Sequence, residues 1–567
     1  MKKLINDPRH VVRQMLEGVV ALSPGLALLK TENVVLRADV PPPAQRPVAV
    51  VSGGGAGHEP AHAGYVGAGM LHAAVVGDVF TSPSVDAVLA AIRAVGGPAG
   101  VVLVVKNYTG DRLNFGLAAE LAINEGIPCE IVVVADDVAL HGTVEPARRR
   151  GIAGTVLVHK VAGAAAASGA PLQQVADRAR KVAAAIGTMG AALGPCTVPA
   201  AGRPGFDLGE DEIELGLGIH GEAGVRRERL EPADRLVEAM LDVILADRCI
   251  TANDRVALLV NGLGGTPPME LAIVARHALT TLRSRGLTVS RAWCGNLLTA
   301  LEMPGCSLSV LPVDDALLRD LDLPTDAPAW PGSGLIPARL QLRPAPVGTA
   351  ASAGPATGSG HGNAPRVRDA ILACANALEA AHTRLTELDS AAGDGDLGAS
   401  MARGAAALRA VPAEQWGDAP AALALAGDTL RRAIAGSSGP FYAVALLHAA
   451  RRLAEPDGTK PLGWAAAFSD AVNAIAGLGG ATPGDRTMLD ALRPAADAFQ
   501  AALEAGQDLG AAWQACVHAG ADGAARTAMM LPRLGRASYL GERALGTPDA
   551  GAAAVQIWLE ALTPFIG

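Results

Sequence analysis

The sequence predicts a multidomain chain in which an α/β part is followed by an all-helical part, and three observations predict it. Its 567 residues far exceed the usual size of one hydrophobic core. Up to about residue 330, short runs of Val, Ile and Leu follow turn signals and precede longer helical patterns, whereas beyond about residue 365 alanine and leucine recur at helical spacing. Between them, the stretch from Trp330 to Pro365 is rich in Pro, Gly, Ser and Ala and lacks apolar periodicity, which is the composition of a flexible linker. The expected boundaries are therefore 1–330, 331–365 and 366–567.

The strand candidates are RPVAVVSGGG (46–55), AGVVLVVKNYTGD (99–111), CEIVVVADD (129–137), DRVALLVNGLGG (254–265) and LTVSRAW (287–293). Continuous β-branched runs of this length suit strands buried on both faces of a mainly parallel sheet, whose ligands sit beyond the carboxyl ends of the strands. The helical candidates include ALEAAHTRLTEL (377–388), AAFSDAVNAIAGL (466–478) and MLDALRPAADAFQAALEAG (488–506).

A net charge of −9 and the absence of any long Lys/Arg run exclude nucleic acid as a partner. Charge interrupts every apolar run of MKKLINDPRHVVRQMLEGVV, and no stretch of about 18 uncharged apolar residues occurs, so no secretion signal and no membrane partner are expected, and a cytoplasmic protein is. Seven scattered cysteines with no C-x-x-C pair predict reduced, mostly buried thiols.

Three glycine-rich loops of the first part carry ionisable side chains. VVSGGGAGHEP (50–60) brings His58, VVKNYTGDRLNF (104–115) brings Lys106 and Asp111, and ELGLGIHGEAG (214–224) brings His220. Each read alone is equally a tight turn or a capping residue. Together they place His58, Lys106, Asp111 and His220 within reach of one cleft for a small polar substrate. In the second part, ELDSAAGDGDLGAS (387–400) gathers Asp389, Asp394 and Asp396 on a glycine-hinged turn. Such a cluster is either a solvated acidic loop or a cation site, and hard oxygen donors without His or Cys point to magnesium. IAGSSGPFYA (434–443) and ATPGDRTMLDAL (481–492) are further glycine-rich turns entering helices, where free amides favour phosphate. The chain has no Gly-Lys pair, so ATP would be held without a P-loop.

These motifs carry a resemblance over nearly the whole chain outside the linker. VSGGGAGHEPAHAGYVGAGML, KNYTGDRLNF, RRRGIAGTVLVHK and GLGIHGEAG resemble the ketone-binding subunit of dihydroxyacetone kinases, and GDGDLGASM, GSSGPFY, PGDRTMLDAL and GRASYLGER resemble the nucleotide-binding subunit. The order of the motifs is similar to that of the fused, ATP-dependent single-chain form. The resemblance implies an N-terminal α/β domain of two subdomains and a C-terminal barrel of antiparallel helices. It implies His220 as the nucleophile that holds the ketone carbon as a hemiaminal, Asp111 as the base, His58 as its acid/base companion, and Gly55, Gly57 and Lys106 as substrate contacts. For the nucleotide it implies Leu397, Ser400, Ser437, Ser438, Gly480, Met488, Arg536 and Asp549, with Asp389, Asp394 and Asp396 holding Mg2+. It also implies ATP and a small ketose as ligands and a homodimer with exchanged helical domains. Alternative activities among such relatives are lyase action on FAD, releasing cyclic FMN, and ketose-binding regulation; a fused, intact aspartate triad argues against a regulator. Leu397, Ala399, Ser400, Ala223 and TPDAGA depart from the family pattern without removing a nucleophile or metal ligand.

Overall fold

The computed structural model describes residues 2–139, 141–142, 144–222, 224–345 and 364–566. Most of the expected linker, Ala223 and the Arg536 side chain lie outside the described residues. The chain forms two compact units, Met1–Arg343 and Pro344–Gly567.

The first unit holds two six-stranded sheets. The strands of the first sheet are β1 (Leu26–Leu28), β2 (Val34–Arg37), β3 (Ala49–Ala56), β4 (Ala73–Val79), β5 (Val101–Lys106) and β6 (Cys129–Val134), in the order β1-β2-β4-β3-β5-β6. Its β4-β3-β5-β6 core is parallel. β3 and β5 are fully buried along their length, as their unbroken apolar runs require.

The second sheet comprises β7 (Gly187–Ala192), β8 (Glu212–Leu215), β9 (Arg226–Arg229), β10 (Arg255–Gly262), β11 (Thr288–Gly295) and β12 (Gly305–Pro312), ordered β11-β10-β12-β7-β8-β9. Here the mainly parallel expectation is corrected. Only β10 and β11 pair in parallel, and the other neighbours are antiparallel. β12 follows β11 after a short connection and lies against the far side of β10, a run of apolar residues that periodicity alone cannot orient.

The second unit is helical throughout its described residues, from Ala364–Ala380 to Ala550–Leu562. Consecutive helices pack side by side around an apolar cavity of about 950 Å³, whose wall includes Ile371, Leu446, Phe468, Trp513 and Trp558. Small residues supply much of the helix–helix contact, consistent with the alanine-rich sequence. No described helix is long and apolar enough to cross a membrane. All seven cysteines are free, but Cys249 and Cys294 are exposed, so the expectation of mostly buried thiols holds for fewer than expected.

Candidate active site

In the first unit the site is built where loops leaving β3, β4 and β5 meet the loop between β8 and β9. Gly57 takes a left-handed φ of 98°, which turns the chain out of β3 and into His58. The His58 ring is fully buried, and its Nδ1–H donates to the Thr299 carbonyl at 2.7 Å. That bond leaves Nε2 as the lone-pair nitrogen. Burial, followed by the nearby Lys106 and His220, holds His58 well below the usual imidazole range. Lys106 closes β5 with its amine wholly buried; burial lowers its pKa, while Asp111, Glu222, Asp136 and Glu59 pull in the opposite direction. Asp111 sits in the first turn of the helix Thr109–Asn124 and accepts from Ser82 Oγ at 2.5 Å.

His220 completes the constellation. Its ring lies 4.8 Å from that of His58, 5.2 Å from Phe80 and 4.6 Å from Tyr108, in edge-to-face arrangements. The side chain is only 20% exposed, so it is a ring clamped by three others and not a bare imidazole on an open loop. Gly221, with φ 81°, reverses the chain so that Glu222 folds back. Glu222 Oε1 then lies 2.9 Å from His220 Nδ1, and Oε2 accepts from the His220 backbone N–H at 2.9 Å. Burial alone would raise the Glu222 carboxyl, but the bonds and charge of His220 outweigh it and bring it down to about 2. An ionised carboxylate at Nδ1 fixes the proton there and leaves Nε2 free as a nucleophile. Gly218 shows what the glycines make room for. A Cβ there would collide with Glu222 Oε2 and stand 2.7 Å from Arg150 Nη1. Arg150 is in turn held by Asp137 Oδ2 and the Gly216 carbonyl, each at 2.7 Å.

In the second unit, Asp389, Asp394 and Asp396 offer carboxylate oxygens within 4.8 Å of one another. Asp389 Oδ2 accepts from the Leu397 N–H, and Asp396 precedes the helix Leu397–Arg409 without capping it through its side chain. Three carboxylates this close repel unless a cation lies among them, and an all-oxygen donor set matches magnesium, so the residues fit the metal. The first turn of that helix is packed against its neighbours through Leu397, Ile434 and Ala550, which belong to one apolar cluster. Ile434 leads into Ser437 and Ser438, where the helix Ser438–Leu453 begins without a side-chain cap. Ala550 follows Asp549, which caps its helix through Ala552 N at 2.8 Å and whose carboxyl is raised by burial to about 6. Met488 approaches Asp549 across Gly551, and Gly480 ends the helix Pro461–Gly479 in a left-handed turn. Uncapped helix starts and the acidic turn thus share one end of the helical unit, an arrangement suited to a metal-bound polyphosphate. Ser400 is turned inward, its Oγ accepting from Arg403 at 2.9 Å.

Sequence reasoning missed Glu222, Tyr108 and Phe80. Glu222 stands two residues from His220, but its fold back onto the ring depends on the chain reversal at Gly221; Phe80 and Tyr108 carried no signal beyond their loops. His62 and His159 were missed as well. They form a buried pair with Nδ1 and Nε2 2.9 Å apart.

Comparison with known proteins agrees with this division. Residues 17–329 match the Dak1 domain and residues 391–564 the DAK2 domain. A triokinase/FMN cyclase of Homo sapiens is 42% identical, covering 99% of this chain and 98% of its own. A D-erythrulose kinase of Mycolicibacterium smegmatis is 38% identical, covering 98% of this chain and 97% of its own. Among solved structures, the dihydroxyacetone kinase from C. freundii in complex with AMP-PNP and Mg2+ is 34% identical, with a TM-score of 0.65 and 99% of both chains covered.

Proposed function

The chain belongs to the family that joins a Dak1 domain to a DAK2 domain, and on that premise we propose that it is an ATP-dependent kinase of dihydroxyacetone or a closely related short ketose. The observation that carries this reading is the His220–Glu222 pair at 2.9 Å, a nucleophile built to trap a carbonyl, in a chain that also carries a three-aspartate cation site. His220 Nε2 attacks the ketone carbon, the carbonyl π pair moves to its oxygen, which takes a proton from water, and the imidazolium so formed gives its Nδ1 proton by way of Glu222 back to solvent, leaving a neutral hemiaminal. The covalent tether selects carbonyl sugars over simple alcohols and fixes the reacting hydroxyl, which is a proximity effect. Asp111, oriented by Ser82, takes the proton from that hydroxyl as its oxygen attacks the γ-phosphorus of ATP and the bond from that phosphorus to the β-phosphate oxygen breaks, releasing ADP. His58 offers its unpaired Nε2 beside His220, and Gly55, Gly57 and Lys106 border the sugar.

On the helical unit, Asp389, Asp394 and Asp396 would hold Mg2+, which neutralises the charge of the polyphosphate when bound. Leu397, Ser400, Ser437, Ser438, Gly480, Met488, Arg536 and Asp549 are proposed to border the nucleotide, supported by the convergence of their helix starts. The deciding experiment is a coupled assay of ATP with three- and four-carbon ketoses and with glycerol, alongside the intact mass of the protein in each sugar. Turnover of glycerol but not of ketoses would overturn the reading. A second activity, release of cyclic FMN from FAD, is favoured by the double name of the Homo sapiens relative; it is tested by following FAD cleavage by the same protein. The resemblance also supports a homodimer with exchanged helical domains.

Two expected results follow from the geometry. Asp111→Asn lowers kcat by about 10²–10⁴-fold with a smaller effect on sugar binding, the usual scale for a lost general base; kcat and KM measured together check this. Glu222→Gln keeps the size of the group but removes the charge that fixes the His220 tautomer. It lowers kcat/KM by about 10–10²-fold, the scale of a hydrogen bond to a charged group, and Glu222→Asp recovers part of the loss.

A further inference from the structure

A buried cation of the helical unit takes no part in the steps above. Arg486 is 1% exposed, although it stands in the connection between the helices Pro461–Gly479 and Leu489–Glu504. Its backbone takes a left-handed φ of 61°, a conformation that turn geometry alone would give to glycine or asparagine. An arginine held there at a cost in strain points to work done by its side chain. The turn around it is fixed from both sides, because Asp485 accepts from the Thr482 N–H and Asp490 from the Thr487 N–H, each at 2.8 Å. The guanidinium is thus delivered from a rigid base.

What it grips is the main chain of one downstream segment. Nε donates to the Thr527 carbonyl at 3.2 Å, and Nη2 donates to those of Ala544 at 3.0 Å and Thr547 at 2.8 Å. Thr527 and Thr547 stand at the two ends of a long loop, and the ends meet: the Gly546 N–H donates to the Ala528 carbonyl and the Asp549 N–H to Thr527 Oγ1, both at 2.8 Å. Arg486 therefore sits at the neck of the loop and holds both sides of it. Between the ends the loop has little packing of its own. It forms short 3-10 turns and no α-helix, and Met529, Leu531, Tyr539 and Leu545 are exposed. A segment fixed by so few interactions opens at low cost unless its neck is secured. A planar guanidinium, with five donors in a fixed fork, bridges the two sides as a point-like lysine amine does not. The loop carries Arg536 and leads into Asp549, and the turn that holds Arg486 leads into Met488, all three proposed above to border the nucleotide. Burial raises the Asp549 carboxyl to about 6, and the charge of Arg486 works against that rise.

We propose that Arg486 is a positioning residue of the nucleotide site, which rivets the neck of the loop between Thr527 and Thr547 so that the backbone at Met488, Arg536 and Asp549 forms one wall before ATP arrives. The proposal rests on the kinase reading above and adds to it a determinant of nucleotide affinity. Arg486 is closed off from solvent, and its remaining amino group, Nη1, is buried without a partner, so it acts through the loop and not by touching ATP. Apparent affinity falls with the fraction of chains in the competent form. A neck loosened until roughly 1–10% of chains carry a formed wall raises KM for ATP by about 10–10²-fold, while saturating ATP re-forms the wall and leaves kcat nearly unchanged.

The test uses two variants of the full-length chain. Arg486→Met removes every donor, and Arg486→Lys keeps the charge without the fork. Arg486→Met is expected to raise KM for Mg-ATP by about 10–10²-fold with kcat nearly unchanged, and Arg486→Lys to raise it by a smaller factor. KM for dihydroxyacetone and the mass of the His220 adduct, which belong to the other unit, stay as in the wild type. A residue that only supports the fold would lower the active fraction, and so kcat, with KM for ATP unmoved; that result overturns the proposal. Hydrogen exchange without nucleotide reads the neck directly. The amides of residues 528–549, Gly546 and Asp549 among them, are expected to exchange faster in both variants, those of the helix Leu489–Glu504 to stay protected, and saturating Mg-ATP to restore protection to the loop. Exchange that quickens equally in that helix means general loosening and also overturns it. Where Arg486→Met does not fold, Arg486→Lys decides on both measurements. If Mg-ATP protects no amide of the wild-type helical unit and supports no turnover of any ketose, the kinase reading itself fails, and the role of Arg486 falls with it.

Discussion

His220→Ala is expected to abolish the covalent adduct with dihydroxyacetone, seen as loss of the added mass in the intact protein, and to lower kcat/KM by about 10⁴-fold or more. That factor is a modest part of what a well-oriented tether can contribute, since effective molarities reach about 10⁵–10⁸ M. The fold should persist. The ring is 20% exposed, and its loss removes the contacts with His58, Phe80 and Tyr108 and leaves the Glu222 carboxylate without its imidazole, so the stability cost is on the order of 1–3 kcal/mol. Mg-ATP binding by the helical unit should be unaffected. An adduct surviving in His220→Ala would mean that another nucleophile holds the sugar, and the Glu222 bond would lose its purpose.

The parts of this molecule that were readable from sequence share a physical reason. β3, β5 and β10 announce themselves because buried strands need long unbroken apolar runs, while β6 and β11, only partly buried, are marked by β-branched and aromatic residues after turn signals. β4, β7 and β12 are composed of small residues and short runs that do not stand out, and β8 and β9 carry Glu and Arg on an edge of their sheet, so all five escaped notice. The aspartate turn and the His58, Lys106, Asp111 and His220 loops were visible because reactive side chains stand among glycines at strand and helix ends. Glu222 was not recognised because its role depends on the chain reversal at Gly221, and no pattern of residue types states which way a carboxylate folds. The His62–His159 pair lies further out of reach. Its members are 97 positions apart and meet only because the helix Thr155–Ala167 packs against β3, so the pairing is a property of tertiary structure alone.

The second large effect is expected at the aspartate turn, and it also tests how the two units cooperate. Asp394→Asn with Asp396→Asn removes two of the three carboxylates while keeping Asp389, whose Oδ2 accepts the Leu397 N–H. Phosphoryl transfer depends almost wholly on alignment and charge neutralisation, so losing the metal clamp should lower kcat by about 10³–10⁵-fold. Without Mg2+ the change relieves like-charge repulsion in the turn, and the loss of Asp396 removes no side-chain helix cap. The His220 adduct should form as in the wild type, since that chemistry belongs to the other unit. This separation permits a decisive mixture. One inactive chain, His220→Ala, has a sound helical unit; the other, Asp394→Asn with Asp396→Asn, has a sound ketose site. In a dimer whose helical domains are exchanged, a mixed pair places the sound ketose site of one chain with the sound nucleotide site of its partner. Random pairing gives about half mixed dimers with one working site in two, hence roughly a quarter of wild-type activity. If each chain instead serves only itself, every site in the mixture contains one disabled half. Activity that stays at the level of the two parent variants after co-expression therefore rejects exchange, while leaving the loss in each parent as evidence that both sites are required.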